Sequence, residues 1–180
     1  MASGVARIIF RCEEAMQTQN LDLSDCQMVH IAEGVYHIMK DTEVKTLNVS
    51  GNVLTKVSPR LVVKFSLLRD LDISRNQIGT LPNDLAFLLH LERLNISSNC
   101  FTEIPECVFR LPALRELDAS KNRITDIDND DLKNAACLSS VDLTENPLTK
   151  RCIENLPKTG ITFIHSPPSE EQEDWEDLNI

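Results

Sequence analysis

Apolar and polar positions follow one another along this chain in a frame that returns. Between Leu91 and Phe101 the stretch LERLNISSNCF places large apolar residues at Leu91, Leu94, Ile96 and Phe101 and an asparagine at Asn99. The same frame stands upstream as LRDLDISRNQI, Leu68 to Ile78, and downstream as LRELDASKNRI, Leu114 to Ile124. Asn76, Asn99 and Asn122 are therefore 23 residues apart. Alternation around Leu94 and Ile96 is the period of a short strand with one buried face. Its return at a fixed interval predicts stacked coils, because one such unit cannot bury its apolar side alone.

The predicted strand pairs are Leu21 and Leu23, Leu47 and Val49, Leu71 and Ile73, Leu94 and Ile96, Leu117 and Ala119, and Val141 and Leu143. A third inward residue follows five positions after each pair, in turn Met28, Leu54, Ile78, Phe101, Ile124 and Leu148. At about 1.5–3 kcal/mol for each large apolar side chain buried, these eighteen positions predict a continuous core that needs neither metal nor disulfide. Before the first pair, Val5, Ile8, Ile9, Cys12 and Met16 fall at helical spacing, with Arg7, Arg11, Glu13 and Glu14 opposite. They predict an amphipathic helix over residues 3–17 that covers the open end of the first coil. The first interval is longer, with 26 residues from Cys26 to Asn52, and the extra length is expected near Lys40 to Glu43. After the last pair, Ile161 and Phe163 restore the strand spacing and predict a capping strand within Gly160 to Ile164.

An asparagine column, Asn52, Asn76, Asn99, Asn122 and Asn146, runs through the frame, with Cys26 at the equivalent position of the first coil. A coil that turns away from its strand leaves backbone amides and carbonyls unpaired, and a buried carboxamide serves both kinds. The column predicts a structural ladder between coils. The frame L-x-x-L-x-L-x-x-N-x-L is the signature of a leucine-rich repeat. The chain resembles the intracellular leucine-rich repeat proteins of the LPxxL type, which include Ras-suppressor-like and Shoc-type scaffolds. Leu81-Pro82 with Leu85 and Leu88, and Ile104-Pro105 with Val108 and Leu111, carry that likeness on the convex side. Val57-Ser58 and Ile127-Asp128 lack the Leu-Pro pair. A narrower likeness to one branch of the family rests on Val5 to Arg7, Leu21 to Cys26, Gly34-Val35-Tyr36, the SLLRDL before the third repeat and Asn146 to Leu148. The resemblance implies an α/β leucine-rich repeat solenoid: a curved horseshoe of six repeats with a parallel concave sheet, an N-terminal capping helix and a C-terminal capping strand.

Composition narrows this reading. The chain has 180 residues, 42% of them hydrophobic and 26% charged, without an apolar run long enough for a membrane span. One domain over residues 1–165 is expected, with repeats over about 18–157 and the cap over about 158–165. The first residues do not read as a signal peptide. The six cysteines (Cys12, Cys26, Cys100, Cys107, Cys137 and Cys152) form no C-x-x-C. Reduced thiols and a cytoplasmic location are the expectation. Net charge is −10, and six acids without a base lie within residues 166–180, leaving −4 for the rest. That segment predicts an acidic disordered tail, and the balance makes nucleic acid and anionic membrane poor partners.

Candidate chemistry lies on the strands. An acid or its amide sits within each apolar pair: Asp22, Asn48, Asp72, Asn95, Asp118 and Asp142. A hydroxyl follows each pair: Ser24, Ser50, Ser74, Ser97, Ser120 and Thr144. Both columns read either as a binding stripe or as residues satisfying one another along the sheet. The variable positions Arg69, Asp70, Asp72, Arg75, Arg93, Asn95, Arg115, Glu116, Asp118 and Lys121 form the expected partner-binding set. Its bases read either as a site for an acidic or phosphorylated peptide or as a self-paired solvated face. In one variant the acidic tail folds back over them. No phosphate-cradling glycine loop or nucleophile–histidine set is present in the sequence, and no cofactor is expected. Asp126, Asp128 and Asp130 imitate the start of a calcium loop, but Asp131 and Cys137 occupy its glycine and glutamate positions.

The expected function is a monomeric, non-catalytic protein-interaction module or scaffold whose concave face binds an unidentified protein. The alternative is a regulatory or targeting subunit of a phosphatase or ubiquitin ligase that acts partly through the acidic tail.

Overall fold

Each apolar pair seeds a strand of three residues, too short to be stable except as part of a stack. The computed structural model describes residues 4–156 and 161–167. Its strands are β1 (Asn20–Asp22), β2 (Thr46–Asn48), β3 (Asp70–Asp72), β4 (Arg93–Asn95), β5 (Glu116–Asp118), β6 (Ser140–Asp142) and β7 (Thr162–Ile164). They pair in sequence order into one parallel sheet of seven strands. Register is unbroken: Leu21, Leu47, Leu71, Leu94, Leu117, Val141 and Phe163 stand opposite one another from strand to strand. All eighteen inward residues predicted from the pattern are buried. A one-residue slip at any coil would turn these side chains to the open face, which is why the register holds.

The return paths lie on the convex side as single helical turns: α2 (Glu33–Ile38), α3 (Pro59–Lys64), a 3₁₀ turn over Asn83–Phe87, α4 (Glu106–Phe109), α5 (Asn129–Asn134) and α6 (Lys150–Asn155). Pro82 and Pro105 stand at the entry to the 3₁₀ turn and α4, where a missing N–H costs little. Where that proline is lacking, Ser58 and Asp128 take its place as caps. The Ser58 hydroxyl accepts from the Arg60 N–H (3.2 Å), and the Asp128 carboxylate accepts from the Asp130 N–H (2.8 Å). Thr149 starts α6 in the same way, accepting from the Cys152 N–H at 3.1 Å. The extra length of the first coil is taken up by a turn in which the Thr42 N–H donates to Met39 (3.1 Å) and the Val44 N–H to Thr42 (3.1 Å).

The N-terminal helix corrects one expectation. α1 (Gly4–Thr18) packs on β1 and α2, but through Ile8, Cys12 and Ala15. Val5, Ile9 and Met16, expected to face the core, remain exposed. The first coil is covered by the single face of α1 that carries Ile8, Cys12 and Ala15. The expected cap and tail fall partly on residues 157–160 and 168–180, which lie outside the described residues.

Candidate functional site

Every coil after the first is tied to its predecessor by an asparagine. Asn99 Nδ2 donates to the carbonyls of Ile73 (3.0 Å), Ile96 (3.1 Å) and Ser97 (3.2 Å), while its Oδ1 accepts from the Ile78 N–H (3.0 Å). Asn52, Asn76, Asn122 and Asn146 repeat the pattern, each reaching a carbonyl and an amide of the preceding coil. In the first coil Cys26 lacks a carboxamide, and Arg11 from α1 supplies donors instead. Arg11 Nη1 donates to the Ser24 carbonyl (2.6 Å) and to Cys26 Sγ (3.4 Å), and stands 3.8 Å from Asp22. Arg11 thus closes the ladder at its open end.

On this frame the concave face is built from the alternate strand positions. Asp22, Asn48, Asp72, Asn95, Asp118 and Asp142 each accept from the backbone N–H two residues on, at 2.8–3.0 Å. One oxygen of each is thereby fixed, and the side chain stands upright at the rim of its own turn. At Asp22 the largest single influence is burial, which opposes its charge. Hydrogen bonds from Ser24 and the Arg11 guanidinium outweigh that, and its carboxyl is held below the usual range. Four of the six hydroxyls, Ser50, Ser74, Ser97 and Ser120, are buried beneath this surface, while Ser24 and Thr144 at the ends of the stack are half-buried. Residues that follow the strand have already begun the inward turn, which puts them out of a partner's reach.

The ten partner-binding residues expected from the sequence separate into two groups. Asp70, Asp72, Arg93, Asn95, Glu116 and Asp118 line one trough in the middle of the concave sheet, together with Thr46 and the strand backbone at Leu47, Leu71 and Leu94, whose side chains are buried on the core side. Arg69, Arg75, Arg115 and Lys121 lie outside that lining. Arg69 pairs with Glu92 (3.0 Å), Lys121 with Glu145 (3.2 Å), and Arg75 reaches Asp25 (3.6 Å) and the Ser50 hydroxyl (3.3 Å). The last bridge passes over Gly51, where a Cβ would stand 2.0 Å from the Asp25 carboxylate and where the backbone is left-handed, φ +65°. Within the trough Arg93 forks onto the Asp70 carboxylate through Nε and Nη2, and this hydrogen bond above all raises its pKa further.

Self-pairing therefore describes Arg69, Arg75, Arg93 and Lys121. The seven strands set six carboxylates (Asp22, Asp70, Asp72, Glu116, Asp118 and Asp142) against one guanidinium, Arg93. The exposed floor is anionic, opposite in sign to the basic patch that the arginines suggest in one dimension. Along the sequence, bases on the strands and bases beside them look alike. The separation of strand positions from the positions just before and after them, legible from the same alternation, moves three of the arginines and the lysine to the edges.

The remaining candidates carry less. Asp128 caps α5, Asp130 pairs with Lys133, and among the described residues no group of three or more His, Cys, Asp or Glu is arranged to hold a metal ion. The six cysteines are free thiols; Cys12, Cys107 and Cys152 are buried, and burial raises all three, Cys152 to about 11. Among the described residues no helix is long and apolar enough to cross a membrane.

Comparison with known proteins agrees with this architecture. A family model described as leucine rich repeat matches residues 42–101, 66–124 and 89–148. The chain is 29% identical over 96 residues to human leucine-rich repeat-containing protein 20, covering 51% of this chain and 52% of that protein. It is 32% identical over 96 residues to Tsukushi-A of Xenopus laevis, covering 53% of this chain and 27% of that protein. The chain thus spans about half the length of the first of these relatives and less of the second. Among solved structures, a chain of a TLR13–ssRNA13 complex superposes with a TM-score of 0.70 at 20% identity, covering 84% of this chain and 22% of that one. The narrower likeness read from Val5 to Leu148 is to the first of these proteins.

Proposed function

Because the chain belongs to the leucine-rich repeat family, we propose that it is a non-catalytic protein-binding module whose concave face receives a cationic segment of a partner protein. One observation carries this reading: six carboxylates and a single, already paired guanidinium face the open side of a seven-stranded sheet. A sheet backbone that is paired strand to strand offers a partner only its side chains. Asp72, Asn95, Asp118 and Asp142 stand on consecutive strands about 4.8 Å apart, each held upright by its own backbone bond. Carboxylates fixed in this way need little reordering to accept lysine or arginine, and charge-assisted bonds are the stronger kind.

The fixed acids repel phosphate, so an acidic or phosphorylated peptide fits this face poorly. The free thiols favour a reducing compartment such as the cytoplasm; titration of protein isolated under blocking conditions should then find all six reduced.

A displayed library of random peptides, selected on the immobilised protein, tests the partner chemistry. Lysine- and arginine-bearing segments are expected to be enriched, and to lose binding to Asp72→Lys/Asp118→Lys. Enrichment of acidic or phosphorylated segments would contradict the proposal.

A further inference from the structure

The convex turns change character along the stack. In the first two coils a groove between α2 and α3 is lined by His37, Lys40, Arg60 and Lys64, with Glu33 as its one acid. Arg60 pairs with Glu33 and Lys40 with Asp41, and among the described residues no ion pair engages His37 or Lys64. In the last three coils a trough between α4, α5 and α6 gathers Glu103, Asp126, Asp128, Asp130 and Asp131 against Arg151. Lys133 is tied to Asp130 and Arg110 to Glu106, while among the described residues no ion pair engages Glu103, Asp126 or Asp131. These acids press on one another. Burial first, and then the charges of Asp128, Glu106, Asp130 and Glu103, hold the Asp131 carboxyl above its usual range.

Between the two regions stand large apolar side chains that the fold leaves outside. Val63 on α3 is 74% exposed, Phe87 at the end of the 3₁₀ turn 69%, and Leu89 just beyond it 58%. Phe87 comes five residues after Pro82, and the same place after Pro105 is held by Arg110. Packing of the coil therefore does not call for an apolar residue there, and exposed apolar side chains grouped in this way mark a contact surface. The turns α3, 3₁₀, α4 and α5 pack one on the next, so the wall is continuous and its order along the stack is basic, apolar, acidic.

A surface with that order is complementary to itself when reversed. If a second copy is turned about a twofold axis through the apolar middle, each basic groove meets an acidic trough, and the apolar side chains meet near the axis. Such a contact uses the same patch on both copies and closes at two.

We propose that two copies of this chain associate back to back through their convex turns, in antiparallel order. His37, Lys40 and Lys64 of each copy lie against Glu103, Asp126 and Asp131 of the other, and Val63, Phe87 and Leu89 are covered between them. The monomer expected from the sequence is replaced by a dimer. Both concave floors then point outward, and the pair offers two sites for the cationic segment proposed above.

Sedimentation equilibrium of the full-length protein tests this. The mass is expected to rise from one chain to two, and no further, as the concentration is raised to the near-millimolar range. Lys40→Glu/Lys64→Glu, Glu103→Lys/Asp131→Lys and Phe87→Asp should each raise the dimer dissociation constant about tenfold or more. Mixed in equal amounts, the two charge-reversed variants should pair with each other at close to the parental strength, since each then presents the sign that the other needs. Misfolded variants could not be rescued by mixing. A single chain at every concentration would overturn the association, and a mass that grows past two would overturn the twofold arrangement. A dimer that the variants leave intact, or a mixture of the two charge-reversed variants that stays monomeric, would overturn this surface.

Discussion

At the scale of single residues, the buried carboxamides do most to hold neighbouring coils together. Asn99 makes four hydrogen bonds, two to the preceding coil and two within its own. Asn99→Leu leaves those backbone groups buried without partners, at about 1–3 kcal/mol for each that water cannot reach. A loss of about 2–4 kcal/mol is expected in urea unfolding. Asn146→Leu should cost less, because Asn146 is only half-buried near the end of the stack. Thiol reactivity should follow burial. Cys137 is exposed and should react first with a maleimide, while Cys12, Cys107 and Cys152 should wait for unfolding, their thiols buried and raised in pKa; competition labelling read by mass spectrometry checks the order. Asp22 supplies a pH dependence of defined sign. Its folded pKa is lowered, so its charge stabilises the fold above the ordinary aspartate value of about 3.9 and loses that effect as pH falls through the lower folded value. Asp22→Asn keeps an acceptor for Ser24, as Asn48 and Asn95 do on their own strands. It should therefore be slightly less stable than the parent at neutral pH and equal to it in strong acid, when melting temperatures are compared across that range.

At the scale of elements, the strands were legible because alternation and register express one constraint, the burial of one side of each strand. Two apolar residues and an asparagine at constant spacing located β2 to β6, the same frame with Cys26 in the asparagine's place located β1, and Ile161 with Phe163 located β7. The convex turns were less legible, since they obey no period. Where Leu-Pro was missing the path looked open, yet Ser58 and Asp128 stand one residue before the first helical position, where a cap belongs. Ser58→Ala and Asp128→Ala are each expected to cost about 1 kcal/mol, measurable as a shift in the urea midpoint without a change in slope. The helix α1 was legible as an element but not as a surface. Its apolar arc is wider than the edge of the coil it covers, so periodicity alone could not separate buried Cys12 and Ala15 from exposed Val5 and Ile9. Nor does any pattern announce that Arg11 would complete the hydrogen bonding that Cys26 cannot.

For the whole molecule, stacking turns a list of charges into one anionic concave floor. The residues Asp70, Asp72, Arg93, Asn95, Glu116 and Asp118 were found in the sequence and meet in one trough. Arg69, Arg75, Arg115 and Lys121 looked like their neighbours in one dimension, but a shift of one or more positions along the coil carries them past the rim. The sign of the concave floor follows from that shift, and with it the chemistry of the proposed partner. Binding of a cationic segment should weaken steeply with salt, since several fixed charges are matched at once.

Amide chemical-shift mapping of the labelled protein with a selected lysine- and arginine-bearing peptide tests this most directly. The account predicts perturbations concentrated at Leu71, Asn95 and Asp118 and their neighbours on β3 to β5, abolished in Asp72→Lys/Asp118→Lys. Shifts confined to the convex turns, or undiminished in that variant, would contradict it.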